Sequence, residues 1–202
     1  MERKNEISVI LADDHAIVRK GLRLLLEHES GIKVIGEAED GIEAVKKVEE
    51  LMPGILVLDI SLPLLNGLEV ARQLNKRRPG IKIIILSMHD TEELVYETLL
   101  AGAKGYILKK SAPDQLVAAF RSVSLGRSFF SPEIAEIINE RMIEQFTENE
   151  LVQTPSLTER ESQILQLVAE GHCNREMAKL LQISIKTVEN HRAKIMGKMN
   201  II

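Results

Sequence analysis

The chain has 202 residues, of which 45% are hydrophobic and 28% are charged, and this composition is typical of globular proteins rather than of disordered ones. The single cysteine, Cys173, excludes an internal disulfide and a thiolate metal cluster. The polar start of the chain does not resemble a signal peptide, and no apolar run approaches the length of a membrane-spanning helix. We therefore expect a cytoplasmic protein without a membrane partner.

Charge is distributed unevenly along the chain, which has a formal net charge of −4. Residues 157–202 contain seven Lys and Arg against five Asp and Glu, whereas the preceding residues contain 19 against 25. A mildly basic end attached to an acidic front favours two domains with separate functions, with the basic one closer to a polyanion.

Residues 5–126 alternate between apolar segments of strand length and segments with helical periodicity. The five strand segments are Ile7–Leu11, Lys33–Glu37, Ile55–Leu58, Lys82–Leu86 and Gly105–Leu108. They are almost continuously apolar, as in a sheet that is buried on both faces. The alternation predicts an α/β domain with a five-stranded parallel sheet and helices on both faces.

A linker and a small helical domain are expected after this first domain. Residues 127–154 are predicted to be a linker that includes a helix over 132–146, because Pro132 is placed where a helix can start. Residues 155–202 show only helical patterns. Thr158 and Glu161 match a capping box, and Ser184 is suited to cap a later helix.

Carboxylates follow two of the predicted strands at the point where each strand ends. Asp13 and Asp14 follow the first strand and Asp59 follows the third, and parallel strands bring ends of the same polarity to one edge of a sheet. Such a cluster is tolerable when it holds a hard divalent cation, for which Mg²⁺ is the usual candidate. Ser87 ends the fourth strand and Lys109 ends the fifth, so a hydroxyl and a cation are expected beside a carboxylate that accepts a phosphoryl group.

Each of these residues also has a simpler interpretation. An aspartate at a strand end is more often a helix cap or a turn former than a ligand, and a lysine there is usually solvated. Tyr106 by itself would be a half-buried strand aromatic. The coincidence of several such residues at successive strand ends favours the functional interpretation.

The first domain resembles the receiver domains of two-component response regulators, which implies a flavodoxin-like fold. The resemblance is carried by Leu11–His15, Leu58–Gly67, Leu86–His89 and Gly105–Lys109. It implies that Asp59 is the phosphorylated residue, and that Asp14, Asp59 and the main-chain carbonyl of Ser61 bind Mg²⁺ with support from Asp13. It further implies a conformational switch that is formed by Ser87, Tyr106 and Lys109.

Residues 174–196 have the pattern of a helix, a tight turn and a second helix, which is typical of a helix-turn-helix. Val188, Ile195 and Met199 are predicted to share the packing face of the second helix. The predicted DNA-binding residues are Lys186, Thr187, Glu189, Asn190, Arg192, Ala193, Lys194 and Lys198. Among them Asn190 can pair with a base edge and the cations are suited to phosphates.

This second domain closely resembles the LuxR-type helix-turn-helix, and a receiver joined to it is the arrangement of the NarL/FixJ family of response regulators. The resemblance implies a sensor histidine kinase and double-stranded DNA as partners, and a homodimer after phosphorylation. In relatives, the positions that match Glu189, Asn190 and Ala193 tend to face bases. We do not expect the protein to be an enzyme, although it accepts a phosphoryl group and its own aspartyl phosphate can hydrolyse.

Two alternatives stay open at this point. Relatives have one more helix after the recognition helix, and the sequence reaches only Ile202. We therefore expect the second domain to lack its last helix, which leaves a receiver-type interaction module with impaired DNA binding as the alternative function. A phosphatase with an aspartyl-phosphate intermediate typically uses Asp-x-Asp, and Asp59-Ile60-Ser61 lacks the second carboxylate.

Overall fold

The computed structural model describes residues 6–147 and 157–199. The chain divides into two compact units, residues 1–149 and 150–202. Within the described ranges, none of the helices is both long enough and apolar enough to cross a membrane.

The first unit is built on a parallel sheet. Its strands are β1 (Ile7–Ala12), β2 (Ile32–Ala38), β3 (Ile55–Asp59), β4 (Lys82–Ser87), β5 (Gly105–Leu108) and β6 (Phe129–Phe130). Their order across the sheet is β2-β1-β3-β4-β5-β6, and every neighbouring pair is parallel. The predicted class of fold is confirmed, but the prediction of five strands is wrong by one, because a two-residue strand gives too short an apolar pattern to stand out in the sequence.

Helices cover both faces of this sheet. They are α1 (Ala16–Glu27), α2 (Gly41–Leu51), α3 (Gly67–Arg77), α4 (Glu92–Leu100) and α5 (Ala112–Ser124), the last preceded by a 3₁₀ turn at Lys109–Ser111. One apolar core contains side chains of α1 and α5, and the other contains side chains of α2, α3 and α4. The side chains of Asp40 and Asn66 cap α2 and α3, which fixes where the chain turns from loop into helix.

The segment after α5 adds a strand and a helix to the first unit. Gly105 and Tyr106 of β5 pair with Phe129 and Phe130, and α6 (Pro132–Thr147) follows and packs against α4. Ile134 of α6 is fully buried in the core on that face of the sheet. The helix that was predicted within the linker thus packs on the first unit. Residues 127–131 of the predicted linker contain β6, and residues 148–154 lie outside the described residues.

Three helices form the described part of the second unit: α7 (Glu159–Ala169), α8 (Asn174–Leu180) and α9 (Ile185–Lys198). Both predicted caps are confirmed, since Thr158 and Glu161 form the capping box of α7 and the Ser184 hydroxyl accepts the Thr187 N–H at the start of α9. The small core is formed by buried residues of all three helices, among them Ile164, Leu167, Met177, Val188 and Ile195.

Truncation of Ile134 tests whether α6 is an integral part of the first unit. We expect Ile134→Ala to lower the free energy of unfolding of that unit by about 2–5 kcal/mol, because it leaves a cavity in a closed core. Urea unfolding of the full chain, followed by circular dichroism, measures the change. Glu136→Ala removes an exposed side chain of the same helix and should stay within about 0.5 kcal/mol of the unmodified protein. Equal midpoints for the two variants would show that α6 contributes nothing to the core.

Candidate functional site

Acidic side chains meet at the carboxyl edge of the sheet. Asp13 and Asp14 follow β1 directly and Asp59 is the last residue of β3. Ligand atoms of these three residues and of His15 all lie within 4.8 Å of one another. The structure therefore brings together the carboxylates that the sequence predicted to converge.

Lys109 is the cation of this cluster. Its Nζ lies 2.7 Å from Asp59 Oδ2 and 2.8 Å from Asp13 Oδ2, and both aspartates are only 1% exposed. Burial lowers the pKa of Lys109, but hydrogen bonds and charges from Asp13 and Asp59 outweigh it, so the pKa is raised above its ordinary value. The ammonium therefore stays charged and lies within reach of any anion that binds to Asp59.

Asp14 faces the solvent on the open side of the cluster. Its side chain is 37% exposed, and its Oδ1 lies 2.6 Å from His15 Nδ1. The oxygen donors of Asp13, Asp14 and Asp59 are those that Mg²⁺ prefers, so the donor set fits a hard divalent cation. His15 was not predicted as a neighbour of the cluster, although it directly follows Asp13 and Asp14 in the sequence.

The loop after β3 is held close to Asp59. The N–H of Ser61 donates to Asp59 Oδ1 at 3.1 Å, and the Ser61 side chain is exposed. The start of α3 is so near that a Cβ on Gly67 would lie 2.2 Å from the Asp59 carbonyl oxygen. Glycine at this position is thus a steric requirement of the site.

Ser87 and Tyr106 meet at the main chain of His89. The Ser87 Oγ accepts the His89 N–H at 2.9 Å, and the Tyr106 hydroxyl donates to the His89 carbonyl at 2.7 Å. Both side chains are fully buried, so Tyr106 already points inward and is not a half-buried aromatic. Burial raises the pKa of Tyr106, with an opposing effect from the Ser87 hydroxyl and a further rise from the charge of Asp90.

The exposed face of α9 carries most of the predicted DNA-binding residues. The exposed positions are Lys186, Glu189, Asn190, Ala193, Lys194 and Lys198, while Thr187 and Arg192 are half-buried. Val188 and Ile195 form the packing face as predicted, but Met199 is 43% exposed because α9 ends at Lys198.

Several of these side chains have partners within the second unit. Arg192 Nη1 donates to Asn174 Oδ1 at 2.6 Å and ties α9 to the start of α8. Lys198 Nζ lies 2.6 Å from Glu161 Oε2, which ties the end of α9 to the start of α7. Lys186 lies 3.4 Å from Glu189 on its own helix. Arg192 and Lys198 thus have a structural role that the sequence pattern did not indicate.

Two family models match this chain. The model of the response regulator receiver domain matches residues 9–121, and that of the luxR family of bacterial regulatory proteins matches residues 155–202. The chain belongs to the NarL/FixJ family of response regulators. The second match favours a DNA-binding transcriptional regulator over the alternative of a receiver-type interaction module.

Individual relatives span almost the whole chain. The oxygen regulatory protein NreC of Staphylococcus epidermidis is 37% identical over 96% of this chain and 92% of its own length. A LuxR-family response regulator from Aurantimonas sp. has a structure with TM-score 0.65 and 37% identity, covering 68% of this chain and 98% of that one. The structure of RcsB from Salmonella enterica serovar Typhimurium, bound to a promoter in the presence of phosphomimetic BeF3−, has TM-score 0.64 and 29% identity, covering 96% and 92%.

Acid should weaken the second unit of this response regulator through Glu161. The Lys198 ammonium and the Thr158 N–H lower the pKa of Glu161 from its ordinary value of 4.5 to about 2. A carboxyl whose pKa is lowered by folding stabilises the fold above its unfolded pKa, and that contribution is lost as the pH falls through its folded pKa. We expect Glu161→Gln to be less stable at neutral pH and to lose less stability than the unmodified protein between pH 4.5 and 2.

Urea midpoints of the full chain, measured across this pH range, provide the comparison. Glu189→Gln serves as the control, since it removes an exposed carboxylate of α9 and should follow the unmodified protein. An identical pH dependence of Glu161→Gln and the unmodified protein would contradict the assignment.

Proposed function

We propose that Asp59 accepts a phosphoryl group from a sensor histidine kinase and that this reaction controls the binding of the second domain to DNA. The observation that carries the proposal is the pair of short contacts from Lys109 to the buried carboxylates of Asp59 and Asp13. Lys109 is placed to neutralise the oxygens of an arriving phosphoryl group.

The proposed chemistry is a single in-line transfer. A carboxylate oxygen of Asp59 forms a bond to phosphorus while the P–N bond of the kinase's phosphohistidine breaks, and the departing histidine nitrogen takes up a proton. Lys109 stabilises the charge on the phosphoryl oxygens in transit. Loss of the group is hydrolysis of the same acyl phosphate by water, so we expect no turnover of an external substrate.

A divalent cation, which we propose to be Mg²⁺, completes this site. Asp14, Asp59 and the carbonyl oxygen of Ser61 would hold it, with Asp13 as a supporting ligand. Its chemistry is the neutralisation of negative charge on the phosphoryl oxygens. The open side of the cluster at Asp14 supports this arrangement, since the ion and the phosphoryl donor both have to enter from solvent.

Ser87 and Tyr106 would transmit phosphorylation to the rest of the receiver. A phosphoryl group brings about −1.5 to −2 charges and three acceptor oxygens, and the Ser87 hydroxyl is suited to donate to one of them. Ser87 now accepts the N–H of His89, whose carbonyl holds Tyr106. A shift of Ser87 would therefore release the His89 N–H and so disturb the His89 carbonyl to which Tyr106 donates.

The route outward from Tyr106 leads to the segment after α5. The N–H of Ser131 donates to the Tyr106 carbonyl at 3.0 Å, and β6 pairs with β5 at Tyr106. Helix α6, which follows directly, packs against α4. A change at Tyr106 is thus expected to alter the seating of α6, the element that precedes the second domain in the chain.

The output is proposed to be binding of a dimer to paired sites on double-stranded DNA in the cytoplasm. RcsB, the relative described above, is bound to a promoter with a phosphomimetic present, and a further structure contains RcsB dimers on DNA. The exposed face of α9 suits a major groove. We assign base contacts to Asn190, Ala193 and Glu189, and phosphate contacts to Lys186, Thr187 and Lys194. Arg192 and Lys198 are also assigned to phosphates. They would make those contacts while bound to Asn174 and Glu161.

Phosphorylation is tested by intact mass after incubation with a small phosphodonor and Mg²⁺. We expect the unmodified protein to gain one phosphoryl group and Asp59→Asn to gain none, because an amide is not a nucleophile towards phosphorus. Asp114→Asn, which changes an exposed aspartate of α5, should be phosphorylated normally. An adduct that persists in Asp59→Asn would overturn the assignment of Asp59.

DNA binding is tested by the salt dependence of affinity for duplex DNA. Each phosphate contact that is lost lowers the slope of log K against log salt by about one. We expect Lys194→Ala to show that reduction and to bind more weakly to all sequences, whereas Lys46→Ala, on α2 of the receiver, should change neither quantity. Fluorescence anisotropy of the phosphorylated full chain measures both, and an unchanged slope for Lys194→Ala would exclude its phosphate contact.

A further inference from the structure

Arg19 of α1 is a buried cation that the phosphoryl-transfer scheme does not use. It is only 6% exposed. Its position on the helix is three residues before Leu22 and seven before Leu26, on the face that packs on the sheet. An arginine at such a position is costly unless its charge is paired and its N–H groups are satisfied.

The partners of Arg19 lie on either side of it. Nε donates to Glu37 Oε2 at 3.2 Å and Nη2 donates to Glu39 Oε1 at 2.6 Å. Glu37 belongs to β2 and Glu39 follows its end, so both carboxylates lie at the carboxyl end of the strand beside β1. The two acids compensate the charge of the guanidinium and fix the plane of its fork.

The remaining arm of the fork reaches the acidic site. Arg19 Nη1 donates to the main-chain carbonyl of Asp13 at 2.6 Å in a fully buried contact. The Asp13 N–H donates to the Ala38 carbonyl at 3.2 Å, so the residue is held on both sides of its Cα. Because a peptide group is planar, holding the Asp13 oxygen also fixes the amide from which Asp14 continues.

We propose that Arg19 is a positioning residue of the acidic site. Through the Asp13 carbonyl it fixes the loop that carries Asp13 and Asp14, and so it sets the affinity of the site for a divalent cation and, through that, the supply of phosphorylation-competent protein. The inference rests on the cation site of the proposed function. In this role Arg19 would act through the main chain of Asp13 and would touch neither the ion nor the phosphoryl group.

The expected effect is on affinity rather than on the maximal rate. Loss of a group that orients a metal ligand typically weakens metal binding about 10- to 100-fold. Arg19→Lys keeps the charge but lacks the planar fork that bonds Glu37, Glu39 and Asp13 together. We expect its Kd for Mg²⁺ to rise by about tenfold or more, while the rate of phosphorylation by a small phosphodonor at saturating Mg²⁺ stays within about threefold of that of the unmodified protein.

The matched control is Arg23→Gln on the same helix. Arg23 Nη1 donates to Glu37 Oε1 at 2.8 Å and Nε to Glu27 Oε1 at 3.0 Å, but the described contacts of Arg23 do not include the Asp13 carbonyl. This variant loses the ion pairs with Glu27 and with Glu37, the partner that Arg23 shares with Arg19. Its Kd for Mg²⁺ should stay within about twofold of that of the unmodified protein.

Isothermal titration calorimetry of the unphosphorylated full chain with Mg²⁺ gives the Kd. Initial phosphorylation rates over a range of Mg²⁺ concentrations give the rate at saturating Mg²⁺. A raised Kd in Arg19→Lys together with an unchanged Kd in Arg23→Gln supports the proposal. An unchanged Kd in folded Arg19→Lys, whatever its melting temperature, overturns it, because a purely structural arginine would alter stability alone.

Two further variants keep the outcome interpretable. If Arg19→Lys does not fold, Glu39→Ala replaces it, since that change removes only the acceptor of Nη2, a carboxylate that is 70% exposed; an unchanged Kd there overturns the proposal. Asp14→Asn separates the two hypotheses. If the unmodified protein binds no Mg²⁺, or binds it no better than Asp14→Asn, the proposed cation site fails and the inference about Arg19 fails with it.

Discussion

The ammonium of Lys109 lies between the buried carboxylates of Asp13 and Asp59, and the acidic edge of the sheet depends on that contact. Two carboxylates with almost no exposure to solvent repel each other and are costly to bury. A parallel sheet nevertheless forces them together, because it gathers the ends of β1, β3 and β5 at one edge. Lys109 offsets the repulsion from within the chain, and the more open Asp14 leaves room for cations and anions from outside.

Around this charged centre the main chain is fixed by contacts from other elements of the receiver. Arg19 holds the Asp13 carbonyl, Ser61 donates its N–H to Asp59, and the absence of a side chain at Gly67 lets α3 begin against the end of β3. The His89 main chain links Ser87 to Tyr106. Contacts from several strands and helices thus hold the main chain around the acidic site in place.

The second unit has only a small apolar core, so polar contacts contribute to holding its helices together. Its small core leaves α9 with a buried face at Val188 and Ile195 and an exposed polar face. The ends of the helices are joined by polar contacts instead: Glu161 caps α7 and also binds Lys198 at the end of α9, while Arg192 reaches Asn174. Two of the cations that the sequence pattern assigns to DNA, Arg192 and Lys198, thus already have partners within this unit.

Sequence alone determined the receiver fold, the convergence of Asp13, Asp14 and Asp59, and the capping of the last domain, because each follows from local periodicity or from the polarity of parallel strands. The tertiary structure decided what periodicity does not encode. It decided the pairing of the two-residue β6 with β5, the burial of Ile134 and the inward position of Tyr106. The clamp of Arg19 on Asp13 was also decided there, since its partners come from a different strand. Such contacts join residues distant in the chain, and no repeat or spacing in the sequence records which of them meet.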